Sequence, residues 1–148
     1  MTWTPNRILA LVIGIVFTLV GILGFFSTST MQPSYIFGFG VDVVHNIVHL
    51  VIGLLGIAAA FTGWSRLYNQ IFGIIYLLLG IAGLIPALYF LSMGSTRLLG
   101  LTFVNGADNV LHIVVGLVQI GVGFFVHETR TTSNMNDLPD VPRATPLS

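Results

Sequence analysis

The side chains able to do chemistry in this chain are few, and they fall into two matching clusters. Asn46-Ile-Val-His49-Leu-Val-Ile-Gly53 recurs as Asn109-Val-Leu-His112-Ile-Val-Val-Gly116, 63 positions later. Asp42 and His45 precede the first copy, Asn105 and Asp108 precede the second, and Gln119 follows it. Three kinds of chemistry suit these residue types. Asn and His can hydrogen-bond between helices and cap helix starts, a structural use. His45 and His49, spaced i, i+4, face Asp108 and His112 at the equivalent positions, and three imidazoles with a carboxylate can ligate zinc, iron or manganese. His49 and His112 at equal depth can also serve as axial ligands of a b-type haem, or one of them can hold another tetrapyrrole. The third use is a proton or ion relay, because intramembrane His and Asp are the usual relay residues. No Ser, Thr or Lys stands beside a base at a nucleophile's spacing, so an enzyme is not expected.

Both clusters need helices to align them. At 100° per residue, Asn46, His49 and Gly53 fall within about 60° of one another on a helix surface. Asp42 and His45 lie one turn earlier on that face. Asn105, Asp108, Asn109, His112, Gly116 and Gln119 form the same stripe on a second helix. In lipid such stripes must turn inward, against protein or trapped water.

The rest of the chain is apolar enough for that setting. Of 148 residues, 55% are hydrophobic and 7% charged, against about 25% charged in an ordinary soluble domain. The formal net charge is zero and Lys is absent, which argues against nucleic acid as a partner. With no Cys, disulfides, thiolate catalysis and iron–sulfur clusters are excluded. Four runs match the roughly 20 residues that a bilayer core demands. They are Ile8–Phe26, Asp42 to about Phe61, roughly Gln70 to Leu91 with Pro86 kinking or ending it, and Ala107 to about Val126. The first run is longer than a signal-peptide core and is followed by Ser27-Thr-Ser-Thr30, so a retained helix is expected. Loops are expected at 27–41, 62–66 and 92–106, and the Pro-containing tail at 128–148 is expected to be disordered and cytoplasmic.

The first and third spans repeat as well. Gly14, Phe17, Gly21 and Gly24 match Gly73, Tyr76, Gly80 and Gly83, 59 positions on. With Gly53 and Gly116, these glycines are expected to let helices approach closely. The expected fold is an all-α membrane protein, a four-transmembrane-helix bundle of two tandem two-helix repeats at about 7–62 and 70–127 within one 1–127 domain. Arg7, Arg66, Arg130 and Arg143 share one side, against Arg97 on the other, which places both termini in the cytoplasm. The partners expected are the lipid bilayer and a second copy or another membrane protein.

The glycine run from Leu9 to Phe25, His45-Asn-Ile-Val-His-Leu-Val-Ile-Gly53 and Asn105-Gly-Ala-Asp-Asn-Val-Leu-His-Ile-Val-Val-Gly116 together resemble a bacterial membrane family, the domain of unknown function 4383 family. The resemblance covers nearly everything from Arg7 to Val126. It implies a four-span protein of the bacterial inner membrane and supplies no activity. A structural or accessory subunit is the leading reading of the residues, with a metal-, haem- or tetrapyrrole-binding protein and a small proton or ion transporter as the alternatives.

Overall fold

Each apolar run becomes a helix where start and stop signals permit. The computed structural model describes residues 2–28 and 32–126; the tail at 128–148 lies outside them. Helix α1, Pro5–Ser27, opens with Pro after Thr4, whose hydroxyl accepts from the Arg7 N–H. Helix α2, Val43–Phe61, is capped by the Asp42 carboxylate, which accepts from the His45 N–H at 2.8 Å. Helix α3 is Ser65–Ala82. Helix α4, Gly106–Ile120, starts at a capping box formed by Asn105 and Asp108 and runs on into a π-helical turn, Gly121–Phe125.

All four helices are long and apolar enough to cross a membrane. The 23 residues of α1 amount to about 34 Å at 1.5 Å per residue. Their outer faces carry large apolar side chains, among them Leu19, Leu54, Leu78 and Val110, each more than half exposed. That pattern is the reverse of a water-soluble surface, where apolar patches of such extent are rare. The protein is an all-α four-helix bundle.

Helices pack as α1 on α2 and α3 on α4. A Cβ added at Gly14 would lie 2.6 Å from the Ile57 nitrogen, and one at Gly53 2.5 Å from the Thr18 nitrogen. Gly21 meets the Leu50 backbone in the same way. Across the other pair, Gly73 meets the Ile120 nitrogen at 2.9 Å, Gly80 the Asn109 carbonyl at 2.8 Å and Gly116 the Leu77 nitrogen at 2.6 Å. No larger residue fits where backbones touch so closely.

The third span is shorter than expected. It ends at Ala82 rather than near Leu91. At Gly83 the carbonyl is taken by two side chains, Asn109 Nδ2 at 2.7 Å and Tyr89 Oη at 2.9 Å. Pro86, which has no N–H to continue the ladder, then opens a single 3₁₀ turn, Pro86–Leu88.

The two loops on the far side from the N terminus are also more regular than expected. Strands β1 (Ser34–Ile36) and β2 (Phe39–Val41) form one antiparallel hairpin. Strands β3 (Tyr89–Ser92) and β4 (Ser95–Leu98) form another. Both turn on a bulky residue followed by Gly, Phe37-Gly38 and Met93-Gly94, with φ positive at all four positions. A two-residue turn with positive φ at both centres suits the strand twist, although the first residue is strained there.

Candidate functional site

Nearly all of the sequence's polar cluster is drawn to the hairpin end of the bundle and buried. Asp42, His45, Asn46, His49, Asp108, Asn109 and His112 are each at most 6% exposed. Burial divides them into residues whose hydrogen bonds are satisfied by the fold and residues that face one another.

The first group is architectural. Asp42 accepts from the His45 and Phe103 N–H groups, both at 2.8 Å, and from Thr102 Oγ1 at 3.2 Å. It also pairs with the Arg97 guanidinium. Asp108 Oδ2 accepts from the Asn105 N–H at 2.8 Å and the Gly40 N–H at 2.9 Å. Asn105 caps α4 and donates to the Gly38 carbonyl at 2.8 Å. Each helix start is thereby tied to the hairpin of the other half. Asn46 donates to Thr28 Oγ1 at 2.9 Å, and its side chain fills the space beside Gly24. Asn109 does the same beside Gly83.

The second group is His45, His49 and His112. One nitrogen from each lies within 4.8 Å of the others. His45 Nε2 and His49 Nε2 are 3.1 Å apart. His45 Nδ1 lies 3.2 Å from the Phe103 carbonyl. A carbonyl only accepts, so Nδ1 carries the proton and the Nε2 lone pair points at His49. This is how an outer hydrogen bond orients a metal-binding imidazole. His112 Nδ1 is buried without a protein partner among the described residues. Phe17 stacks on His49, with ring centroids 4.8 Å apart and planes 6° apart, and Tyr76 lies 5.4 Å from His112.

Three nitrogens bound tetrahedrally at about 2.0–2.1 Å from a zinc ion would be roughly 3.4 Å apart. The observed 3.1 Å and at most 4.8 Å need movements of about an ångström or a little more, within the reach of side-chain torsions. Asp108, expected as a fourth ligand, accepts from the Gly40 and Asn105 N–H groups through one carboxylate oxygen, Oδ2. A cavity of about 260 Å³ opens beside the site, lined by Val16, Val20, Leu111, His45, His49 and Asp108 among others.

Gln119 lies apart from the others, two turns further along α4. It is fully buried, and neither its Nε2 nor its Oε1 has a protein partner among the described residues. Three residues outside the expected polar cluster share its condition. Tyr76 Oη, Asn69 Oδ1 and Asn6 Nδ2 are buried and unpartnered as well. A buried polar atom left unpaired costs about 1–3 kcal/mol. Five of them together would be comparable to the whole net stability of a domain, about 5–15 kcal/mol.

Arg97 was also missed as a site residue. Its spacing marked it only as a loop charge, yet it is 0% exposed. The hint lay in composition: among the described residues it is the single Arg at the hairpin end, in a chain with few carboxylates to neutralise it.

A family model for a domain of unknown function, DUF4383, matches residues 7–125. The chain belongs to the DUF4383 family. The match takes in all four helices, both hairpins and every buried polar residue named above except Asn6. No curated protein and no solved structure matches this DUF4383 chain.

Proposed function

We propose that this protein is a membrane-embedded binding protein that holds one transition-metal ion on His45, His49 and His112. The observation that carries this reading is the convergence of three buried imidazoles, each with one ring nitrogen within 4.8 Å of the others. Asn46, Asp42 and Asp108 have partners that account for them structurally, whereas His112 Nδ1 has none among the described residues. Three nitrogen donors of borderline softness suit zinc, and also iron, cobalt or nickel. Phe17 and Tyr76 pack on the flanks of His49 and His112, which favours a bare ion over a haem or other macrocycle between them.

The setting proposed for it is the bacterial inner membrane, with both termini in the cytoplasm. The arginine distribution supports that orientation, and the matched motifs support an origin by tandem duplication. On this reading the hairpins and the metal lie in the outer half of the bilayer. The protein acts without catalysis, as an accessory that carries or senses the ion. Elemental analysis and zinc titration calorimetry on detergent-purified protein test the reading. One equivalent of metal, lost in His49→Ala and His112→Ala but kept in Asn46→Ala, is expected. Folded wild-type protein that takes up no zinc, cobalt, iron or nickel would overturn it.

A further inference from the structure

Below the histidines the bundle interior stays polar. Tyr76 on α3 and His112 on α4 lie side by side, 5.4 Å between ring centroids. Two turns on, Gln119 packs over Gly73, where an added Cβ would come within 3.0 Å of the Gln119 Cβ. One turn further along α3 is Asn69, whose Nδ2 donates to both the carbonyl and Oδ1 of Asn6 at 3.0 Å. The four residues thus follow one another from the histidine site to the start of α1. Gln119, Asn69 and Asn6 are 0% exposed and Tyr76 is 1% exposed. Each leaves at least one hydrogen-bonding atom without a protein partner, five atoms in all, both donors and acceptors.

The backbone is modified at the same place. The π turn at Gly121–Phe125 departs from the α-helical ladder, as turns of this type often do beside functional sites. It presents the Gly123 carbonyl to Arg66 Nε at 3.0 Å and Gln70 Nε2 at 2.9 Å. The Gly123 carbonyl, held by these two donors, thus lies beside Asn69 at the end of the polar file.

We infer that Tyr76, Gln119, Asn69 and Asn6 hold a file of water molecules through the bundle, and that this file conducts protons between the histidine site and the N-terminal end. The unpaired donors and acceptors are what buried water satisfies, typically with two to four hydrogen bonds each. Amides do not need to ionise for this. They orient water, and each hop forms one O–H bond as it breaks another, leaving the chain unchanged. Water is the carrier, so the file does not depend on a metal being bound. Its narrowness, set by side chains with no exposed surface, excludes hydrated sodium and potassium.

The test is proton flux into proteoliposomes of the full chain, with a pH dye trapped inside and an inside-negative potassium diffusion potential set by valinomycin. Wild-type protein is expected to acidify the lumen at least several-fold faster than protein-free vesicles. Gln119→Leu and Asn69→Leu should return the rate to that of empty vesicles, while Gln119→Ser, which leaves room for water, should retain it. Circular dichroism checks that each variant is folded. A second measurement needs no variant: magnetisation transfer from water to the Gln119 side-chain amide of the wild-type protein in lipid, expected to be rapid. Flux equal to that of empty vesicles, flux unchanged by Gln119→Leu in folded protein, equal passage of sodium, or no transfer from water would each overturn the inference. Neither assay contains a transition metal, so a failure of the three-histidine reading would leave their outcome as it is.

Discussion

Arg97 and Asp42 form an ion pair with essentially no side-chain surface exposed on either partner. Arg97 comes from strand β4, and Asp42 is the cap of α2, so the pair fastens the second hairpin to the first half of the bundle. Breaking a buried pair by removing one partner leaves an uncompensated charge. Arg97→Ala is expected to destabilise the protein by about 3–5 kcal/mol. The double variant Arg97→Met with Asp42→Asn should lose less than either charge-unbalanced single variant. Denaturant unfolding in mixed micelles, followed by circular dichroism, measures both.

Protons compete with a metal for imidazole nitrogen. Zinc affinity should therefore fall as the pH is lowered. His45→Ala and His112→Ala should each weaken binding at least tenfold at neutral pH, whereas Gln119→Leu should leave it unchanged. Competition titration against a chelator of known affinity reads these values directly.

Gly24 and Gly83 stand where they do because Asn46 and Asn109 fill the space a side chain would occupy. A Cβ at either glycine would lie 1.9 Å from the Asn Oδ1. Gly24→Ala is expected to cost about 1–3 kcal/mol through overpacking. Combining it with Asn46→Ala should recover part of that loss, because the clash disappears. A double-mutant cycle gives the coupling, and strict additivity would show that the two residues do not interfere.

Met93 has φ +50° at an exposed turn position, a conformation that costs a non-glycine residue roughly 1–2 kcal/mol, and Asn less. Met93→Asn should raise stability by about 1 kcal/mol or less. It should leave metal binding unaltered, since the turn does not touch the histidines. Thermal unfolding and zinc titration of the variant check both halves of that statement.

The helices were legible in the sequence, and the site was legible by face more than by partner. Apolar run length marked four spans, and the 3.6-residue period put Asn46, His49, Asn109 and His112 on inward stripes. Periodicity carries no information about what a side chain finds when it arrives. Asp108 has the spacing of a ligand, yet a local capping box and the Gly40 N–H also engage one of its oxygens, Oδ2. The early end of α3 depends on Asn109 and Tyr89 reaching the Gly83 carbonyl, contacts that only tertiary packing creates. Arg97 was counted as a loop charge because its partner Asp42 is 55 positions away. Asn6 and Asn69 were invisible for a similar reason: each is one polar residue at a helix start until the fold brings them together.

Within each helix pair, α1 with α2 and α3 with α4, backbone meets backbone through glycine. Between the pairs, contact passes through larger side chains such as Phe17 against Tyr76. The bundle is thus two glycine-packed halves joined along a seam of side chains, and the three histidines sit across it: His45 and His49 belong to one half, His112 to the other. Anything that clasps all three sets the spacing of the halves. On the proposed three-histidine reading, an ion held there would join the halves at that point, and its loss would leave the hairpin contacts to hold them together.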